Sequence, residues 1–493
     1  MTLAEERLRQ LDDPSLTYEE RVLLRCQMAA ESIHVGQYEA ASEALGEFWR
    51  GVGERPDVGE MAPAVAAEVL LQCGALSGLL GGAKNVSGVQ ERAKDLLTEA
   101  LREFQSQGNY RKASEAQCEL GACYWRLGAH DDARVIMREA LRHLTDADVE
   151  LKAKIHIRRT LVEFSEHRYQ EALDILKEAE PVFEFASDAF KGMWHGQKAL
   201  VLEMLATAEK RDELFDGAII EYTAAIFHYE LAKHERHCAR NSNNLAMLLY
   251  KCGRYEQAHE QLDRAGFIFT KLKDPGNLAQ VDETRARVLL AERKYVEAAR
   301  VLVGAVQVFE QGGESALLSD ALTLQGVIWA RRGAYDESAA ALRRAADMAE
   351  ALGAQSNAGR ALLTFLEEHG ERRVVHGEEL YQAYLRADRL LEETQDAEDV
   401  ARLRACSQLV MRRLAGARIH DKNFSFYGAI HELEARLIEQ ALDEAGGSVV
   451  RAARLLGLKH QTFTSMLQAR HQRLLPKRTP RARRLKSIIK KNV

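Results

Sequence analysis

The chain has 493 residues and a formal net charge of −6, with only 7 Pro and 7% aromatic residues. Ala, Leu, Glu and Arg dominate the composition, which favours helices and argues against a β-rich fold. A chain of this length exceeds one ordinary hydrophobic core, so it contains several domains or one extended array. We therefore predict an all-α protein with more than one structural unit.

The N-terminal 25 residues are polar and contain charged residues such as Glu5, Arg7 and Asp12. A secretory signal requires an apolar segment there, and the longest weakly polar stretch, near residues 69–82, is interrupted by Gln72. We expect neither a signal peptide nor a membrane span. The 7 cysteines are scattered, odd in number and without paired spacing, which indicates a reduced, cytoplasmic protein.

A recurring pattern, Gly-x-aromatic-x-x-small, runs along the first 350 residues. Clear copies begin at Gly36, Gly253 and Gly333, and weaker copies lie between them. The small residue falls at positions 41, 93, 133, 172, 218, 258, 298 and 338, so most spacings are 39 or 40 residues. Each copy predicts a helix, a turn, and a second helix whose small residue lets a neighbouring helix approach.

This pattern resembles the tetratricopeptide repeat, in a longer variant of about 40 residues. The resemblance covers residues 20–350 and implies a superhelix of about eight helix pairs. It also implies a concave groove that binds a protein or peptide. In one well-formed repeat Asn243 and Asn244 precede the small residue Ala246, and Asn244 holds a position at which such repeats often bond a peptide backbone. The alternative is that Asn244 only caps or bridges adjacent helices.

Other candidate sites in the array have simpler explanations. His234 and His237 lie one helical turn apart, but their charged neighbours indicate a solvated helix surface rather than a metal site. Residues 78–85 faintly resemble a phosphate-binding loop but lack its required Gly and Ser or Thr, so we expect an ordinary loop. We find no catalytic or dinucleotide-binding motif. We therefore expect no metal, no cofactor and no enzymatic activity.

Charge is distributed unevenly along the chain. Residues 445–493 contain 13 Lys or Arg and no acidic residue, which leaves −19 for the first 444 residues. So dense a positive segment suits phosphate neutralisation, whereas the acidic body is repelled by DNA and is free for other partners. After the array we expect a helical extension over 351–415, a linker over 416–425, a folded domain over 426–475 and a basic tail over 476–493.

The folded domain has the pattern of a helix-turn-helix. A first helix ends at Gly446 and Gly447, and Ser448 offers an N-cap for a short second helix. Ala452 and Ala453 are small where two helices cross. The turn follows at Gly457, which permits a positive backbone angle, and the predicted core side chains are Leu456, Leu458, Phe463, Met466 and Leu467.

The run from Leu433 to Leu458 is similar to the Fis-type domain that ends many bacterial regulators. The resemblance covers residues 424–471 and implies a homodimer that places two recognition helices in successive major grooves of double-stranded DNA. We expect dimerisation through Ile430, Leu433, Leu437 and Ile438. The residues expected to contact DNA are Lys459, His460, Gln461, Thr464, Ser465, Gln468, Arg470, Arg473, Lys477, Arg478, Arg481, Arg483 and Arg484.

We interpret the sequence as a sequence-specific transcriptional regulator whose array binds a protein or peptide. The predicted recognition helix lacks Lys and Arg, so the basic tail is expected to supply the phosphate contacts. The alternative is a scaffold or adaptor that is tethered to DNA without sequence preference. The DNA affinity of such a tether depends steeply on salt concentration and hardly at all on DNA sequence.

Overall fold

The computed structural model describes residues 11, 15–34, 37–83, 88–313, 315–372, 375–394, 396–419 and 426–478. Within these ranges the chain forms helices joined by turns, with no β-strand. Contacts divide it into two compact units, Met1–Val308 and Phe309–Val493. The predicted all-α fold is confirmed.

In the first unit most helices pack against the next helix in chain order. The last of them, α15, extends a few residues into the second unit. Its helices are α1 (Tyr18–His34), α2 (Tyr38–Leu45), α3 (Pro63–Ala83), α4 (Val89–Ser106), α5 (Tyr110–Arg126), α6 (His130–Leu141), α7 (Val149–Ser165), α8 (Tyr169–Glu178), α9 (Glu180–Phe185), α10 (Asp188–Glu209), α11 (Glu213–Leu231), α12 (Glu235–Lys251), α13 (Tyr255–Lys271), α14 (Pro275–Ala291) and α15 (Tyr295–Gly312).

The second unit continues the helical pairing and then contains three shorter elements near the C-terminus. Eight helix pairs lie between residues 18 and 351, as predicted, and a further pair follows. The helices of this unit are α16 (Ser315–Arg332), α17 (Tyr335–Ala351), α18 (Gln355–His369), α19 (Gly377–Leu390), α20 (Ala397–Ile419), α21 (Phe426–Glu444), α22 (Val449–Leu455), α23 (His460–Ala469) and a 3-10 helix (Gln472–Lys477).

The small residues of the repeat pattern are points of close helix packing. A second small residue, seven before each turn glycine, receives a long side chain from the partner helix: a Cβ on Gly326 would lie 2.5 Å from Leu342 Cγ, and one on Gly121 would lie 2.6 Å from Met137 Cγ. This explains why the repeat needs small residues at two positions. The eight small residues named by the pattern are fully buried: Ala41, Ala93, Ala133, Ala172, Ala218, Ala258, Ala298 and Ser338.

The turn between paired helices has one recurrent backbone conformation. The residue five before the small residue has a positive φ in six repeats, at Gly88, Gly128, His167, Gly253, Arg293 and Gly333. His167 and Arg293 adopt this conformation, with φ of 59° and 63°, although they carry a Cβ. Two of the weaker copies, those at Ala172 and Ala298, therefore keep the turn geometry without keeping the glycine.

Two irregular spacings have visible structural causes. The 52-residue spacing between Ala41 and Ala93 contains a long connection, residues 46–62, that precedes α3. The 46-residue spacing between Ala172 and Ala218 contains the extra short helix α9. Both insertions lie between helix pairs, so the packing within each pair is preserved.

Helix α3 corrects one expectation. Residues 78–83 were expected in a loop but form the last turns of α3, where a Cβ on Gly78 would lie 3.1 Å from Cys123 Sγ. The glycines here permit close helix contact rather than phosphate binding. Among the described residues, one segment, Pro63–Gly81 of α3, is long and apolar enough to cross a membrane, and 72% of it is buried inside the protein.

The seven cysteines are packing residues. All are free thiols, six are buried, and Cys252 is half-buried. Burial raises the pKa of Cys123 to about 11 and that of Cys406 to about 12. These thiols therefore stay protonated at neutral pH and are poor nucleophiles.

Candidate nucleic-acid interface

Helix α21 forms the base of the C-terminal domain. One face packs into the domain core through Ala435, Ile438, Ala441, Leu442 and Ala445, all at most 2% exposed. The helix ends at two glycines with positive φ, and the Gly447 N–H donates to the Leu442 carbonyl at 2.8 Å. This C-terminal cap fixes the direction in which the chain enters α22.

Helices α22 and α23 form the predicted helix-turn-helix. Ala452 and Ala453 are fully buried at the crossing, and Gly457 has a φ of +65° in the turn. Phe463 and Leu467 are fully buried beneath α23 and hold it against the core. Ser448 occupies the N-cap position of α22, but its side chain makes no capping hydrogen bond.

The outward face of α23 is polar and carries no formal charge. Gln461, Ser465 and Gln468 are exposed, whereas His460 and Thr464 are partly exposed. Together with Ala469 these five side chains line one shallow concave surface. The Thr464 hydroxyl donates to the His460 carbonyl at 2.8 Å, so toward an external ligand its oxygen acts as a hydrogen-bond acceptor.

The basic residues expected to contact DNA fall into two groups. Lys459 and Arg473 are exposed, and no ion pair to either is found in the part of the chain that the structure describes. Arg478 is partly exposed and donates to the Leu475 carbonyl at 3.3 Å. Arg470 and Lys477 belong to the second group, because both are paired with carboxylates of α21.

Those pairs attach the 3-10 helix and the end of α23 to α21. Arg470 lies 3.4 Å from Glu434, and Lys477 lies 2.9 Å from Glu439 and 2.8 Å from Asp443. The hydrogen bonds that Lys477 donates to Asp443, and then to Glu439, raise the pKa of Lys477. Lys477 and Arg470 are therefore partly neutralised within the domain. Arg481, Arg483 and Arg484 lie outside the described residues.

Sequence reasoning assigned no role to Arg451 and Arg454 on α22. Arg451 lies on a surface that it shares with His460, Thr464 and Gln468, and its guanidinium donates to the Ala445 carbonyl at 2.8 Å. Arg454 is exposed. The signal was available in the sequence, because both arginines stand one helical turn apart just before the turn glycine.

The apolar residues of α21 do not form a single surface. Ile430, Leu433 and Leu437 are 40%, 58% and 46% exposed, but Ile438 is 1% exposed and belongs to the domain core. The inclusion of Ile438 among the dimer-forming residues is therefore wrong. The three remaining residues follow one face of the helix at helical spacing.

In the array, the two asparagines of α12 have different environments. Asn244 is exposed, whereas Asn243 is half-buried and its Oδ1 atom is buried without a hydrogen-bond partner among the described residues. Buried polar atoms in folded proteins are nearly always paired. His234 and His237, dismissed above as metal ligands, stack near Tyr229, and no group of three metal-ligating side chains occurs in the described ranges.

Comparison with known proteins supports both parts of this description. Residues 429–468 match the model of the family described as bacterial regulatory protein, Fis family. The C-terminal helices thus form a helix-turn-helix of Fis type. No curated protein matches the chain.

The helical array is similar to several solved structures. A signal transduction ATPase with a tetratricopeptide repeat sensor, from Pyrococcus horikoshii, has 12% identity and a TM-score of 0.51 over 76% of this chain and 55% of that chain. The apo quorum sensor NprR from B. thuringiensis has 15% identity and a TM-score of 0.49 over 70% and 92%. A Rap protein complexed with Competence and Sporulation Factor has 17% identity and a TM-score of 0.47 over 75% and 100%. The chain joins a tetratricopeptide-like helical array to a Fis-type helix-turn-helix.

Proposed function

We propose that this protein is a sequence-specific, DNA-binding transcriptional regulator of bacterial type. The observation that carries the proposal is the polar face of α23, which Phe463 and Leu467 hold on a rigid core within a segment that matches a regulatory family. In helix-turn-helix proteins the second helix enters the major groove. The amides of Gln461 and Gln468 then read base edges, since a Gln amide pairs bidentately with adenine. This role places the protein in the cytoplasm.

Phosphate contacts come from residues around this face. Lys459 precedes α23, Arg473 follows it, and Arg451 and Arg454 lie on α22. Arg478 and the basic residues that follow it in sequence, Arg481, Arg483 and Arg484 among them, extend this positive region. Such contacts fix the position of a protein on the duplex and make its affinity depend on salt.

A homodimer forms through the exposed face of α21. Ile430, Leu433 and Leu437 present a continuous apolar stripe on a helix whose opposite side is packed into the domain. Pairing two copies of this stripe removes apolar surface from water. A two-fold dimer also brings two copies of α23 to one duplex.

The array binds a protein or peptide segment. Exposed Asn244 and the unpaired Oδ1 of Asn243 lie next to each other on α12. An extended peptide offers backbone N–H groups and carbonyl groups. The oxygen of an amide side chain can accept a hydrogen bond from the former, and its NH₂ group can donate one to the latter. Asn243 Oδ1 is buried, so the exposed Asn244 carries this part of the proposal.

Selection of binding sites from random DNA by the full-length chain tests the DNA-binding function. We expect enrichment of a two-fold symmetric sequence and at least 1000-fold preference over competitor DNA, which is the range of specific regulators. A tethered adaptor instead binds all sequences alike and loses affinity steeply with salt. Failure to enrich any sequence, together with measurable binding to all DNA, would establish the adaptor and overturn the proposal.

A further inference from the structure

A pocket in the first unit is lined mainly by arginines. Arg134 and Arg138 reach it from α6, Arg159 from α7, and Arg168 from the turn before α8. Val162 and the buried carboxylate of Glu163 complete the lining. Four guanidinium groups around one pocket are unusual in an array whose overall charge is strongly negative.

The carboxylates near this pocket are committed to two of the four arginines. Glu163 lies 2.9 Å from Arg134 and 3.1 Å from Arg168. Asp131 and Glu166 also pair with Arg134, and Glu171 pairs with Arg168. Arg134 and Arg168 are therefore neutralised by their own carboxylates and serve mainly to shape the pocket.

Arg138 and Arg159 are not neutralised in this way. Arg138 is exposed, and its Nε donates to the Arg134 carbonyl at 3.2 Å. Arg159 is half-buried, and its Nη1 lies 3.3 Å from Nδ1 of the buried His156. No carboxylate in the described part of the chain lies within ion-pair distance of either guanidinium.

The immediate surroundings favour an anion between these two groups. Burial first, and then repulsion by Arg159, lowers the pKa of His156 to about 4, so this ring is neutral at neutral pH and adds no further positive charge. Burial lowers the pKa of Arg159. Glu178 opposes this shift more strongly than repulsion by Arg138 adds to it, and Glu163 opposes it as well. A bound anion would relieve the repulsion and supply the acceptors that the guanidinium groups lack.

We propose that this pocket is a binding site for a phosphate-type oxyanion, held between Arg138 and Arg159. Guanidinium groups bind phosphate through paired, charge-assisted N–H···O hydrogen bonds, and two of them surround a tetrahedral anion from different sides. The site lies on the array, so it gives the array a small charged ligand in addition to the protein or peptide partner. It is independent of the proposed DNA contacts.

Thermal unfolding and calorimetric titration of the full-length chain with inorganic phosphate test this site. Sodium chloride at equal ionic strength controls for charge screening, and the comparison between variants controls for the general stabilisation that phosphate causes by exclusion from protein surfaces. We compare R138Q and R159Q with R300Q, which removes an exposed arginine of α15 elsewhere in the same unit. Wild type and R300Q should bind phosphate alike and gain the same increase in Tm, whereas R138Q and R159Q should lose about 10-fold or more in affinity.

The stability of R159Q without phosphate is a further readout. Removing a half-buried charge that has no carboxylate partner should leave the basal Tm unchanged or higher, while the phosphate-dependent increase disappears. Equal increases in all four proteins would show only the general salt effect and overturn the proposal. Titration with O-phosphoserine separates the two sources of this chemistry: tighter binding than inorganic phosphate assigns a phosphorylated residue, and weaker binding assigns the free ion.

Discussion

Lys477 Nζ lies 2.8 Å from Asp443 Oδ2, so a residue expected to extend toward DNA is instead bound to α21. We expect K477Q to lower the thermal stability of the C-terminal domain and to leave the salt dependence of DNA binding unchanged, since the charge of Lys477 is already paired.

Truncation after Arg478 removes six positive charges, Arg481, Arg483, Arg484, Lys486, Lys490 and Lys491. It should flatten the slope of log K against log salt by roughly two to four, at about 0.9 per phosphate contact. Binding isotherms at several salt concentrations check this, and an unchanged slope after truncation would contradict it.

Base preference should reside in the amides of α23. Replacing Gln461 or Gln468 by Ala removes an exposed side chain and leaves the core of the domain intact. We expect discrimination to fall by about 1 to 3 kcal/mol at particular base pairs, with little change in non-specific affinity. Competition assays with single-base variants of the selected site measure this loss. Q440A on α21, which also removes an exposed amide, is the matched control and should discriminate between base pairs as the wild type does.

Two neighbouring apolar residues of α21 should behave in opposite ways. L437D alters a side chain that is 46% exposed, so the monomer should stay folded while the dimer is lost. I438A truncates a side chain that is 1% exposed and should cost about 2 to 5 kcal/mol of stability. Sedimentation and chemical unfolding separate the two effects. A dimer that survives both L433D and L437D would show that α21 is not the interface.

Partner binding by the array should depend on Asn244. N244A should weaken binding of a captured polypeptide by about 1 to 2 kcal/mol without changing the Tm, because the side chain is exposed and its loss creates no cavity. Affinity measurements with the purified partner, alongside thermal unfolding, provide the check. If N244A lowers the Tm and leaves the affinity unchanged, Asn244 is a structural bridge between helices.

Two glycines of the array should respond to alanine with opposite signs. In α16, the Cβ of G326A would lie 2.5 Å from Leu342 Cγ, so overpacking should destabilise the protein by about 1 to 3 kcal/mol. In α15, a Cβ at the exposed Gly304 meets nothing within 4 Å. G304A should therefore stabilise the helix by about 0.5 to 1 kcal/mol. Urea unfolding of the two variants tests the assignment, and stabilisation by both would refute it.

Most of the fold was predictable because its signals are local. The buried small residues recur at nearly constant spacing, and each reports directly where one helix approaches another. The helix-turn-helix was predictable for the same reason, since Ala452, Ala453 and Gly457 each meet a steric requirement within about ten residues. A position that requires a small side chain or a positive φ can be recognised in a single sequence, because few residue types satisfy such a requirement.

The errors concern contacts between distant residues. Ile438 and Leu437 are adjacent and equally apolar, and only the packing of α22 and α23 decides which of them is buried. The pairing of Arg470 with Glu434 and of Lys477 with Asp443 joins residues more than thirty positions apart. Composition cannot reveal such pairs, because the same basic residues would also suit DNA binding. In residues 78–83 the glycines predict a loop, but in the structure they allow close helix contact with Cys123 and Val89.

The uninterrupted spacing of 40 residues from Ala218 to Ser338 also has an evolutionary consequence. Each repeat contacts chiefly the repeats before and after it. An in-frame duplication of one 40-residue repeat in this region would therefore keep the spacing of the small residues and create one new interface, between the two copies. Such a change alters the array by a whole repeat, whereas the long connection before α3 and the extra helix α9 interrupt the 40-residue spacing.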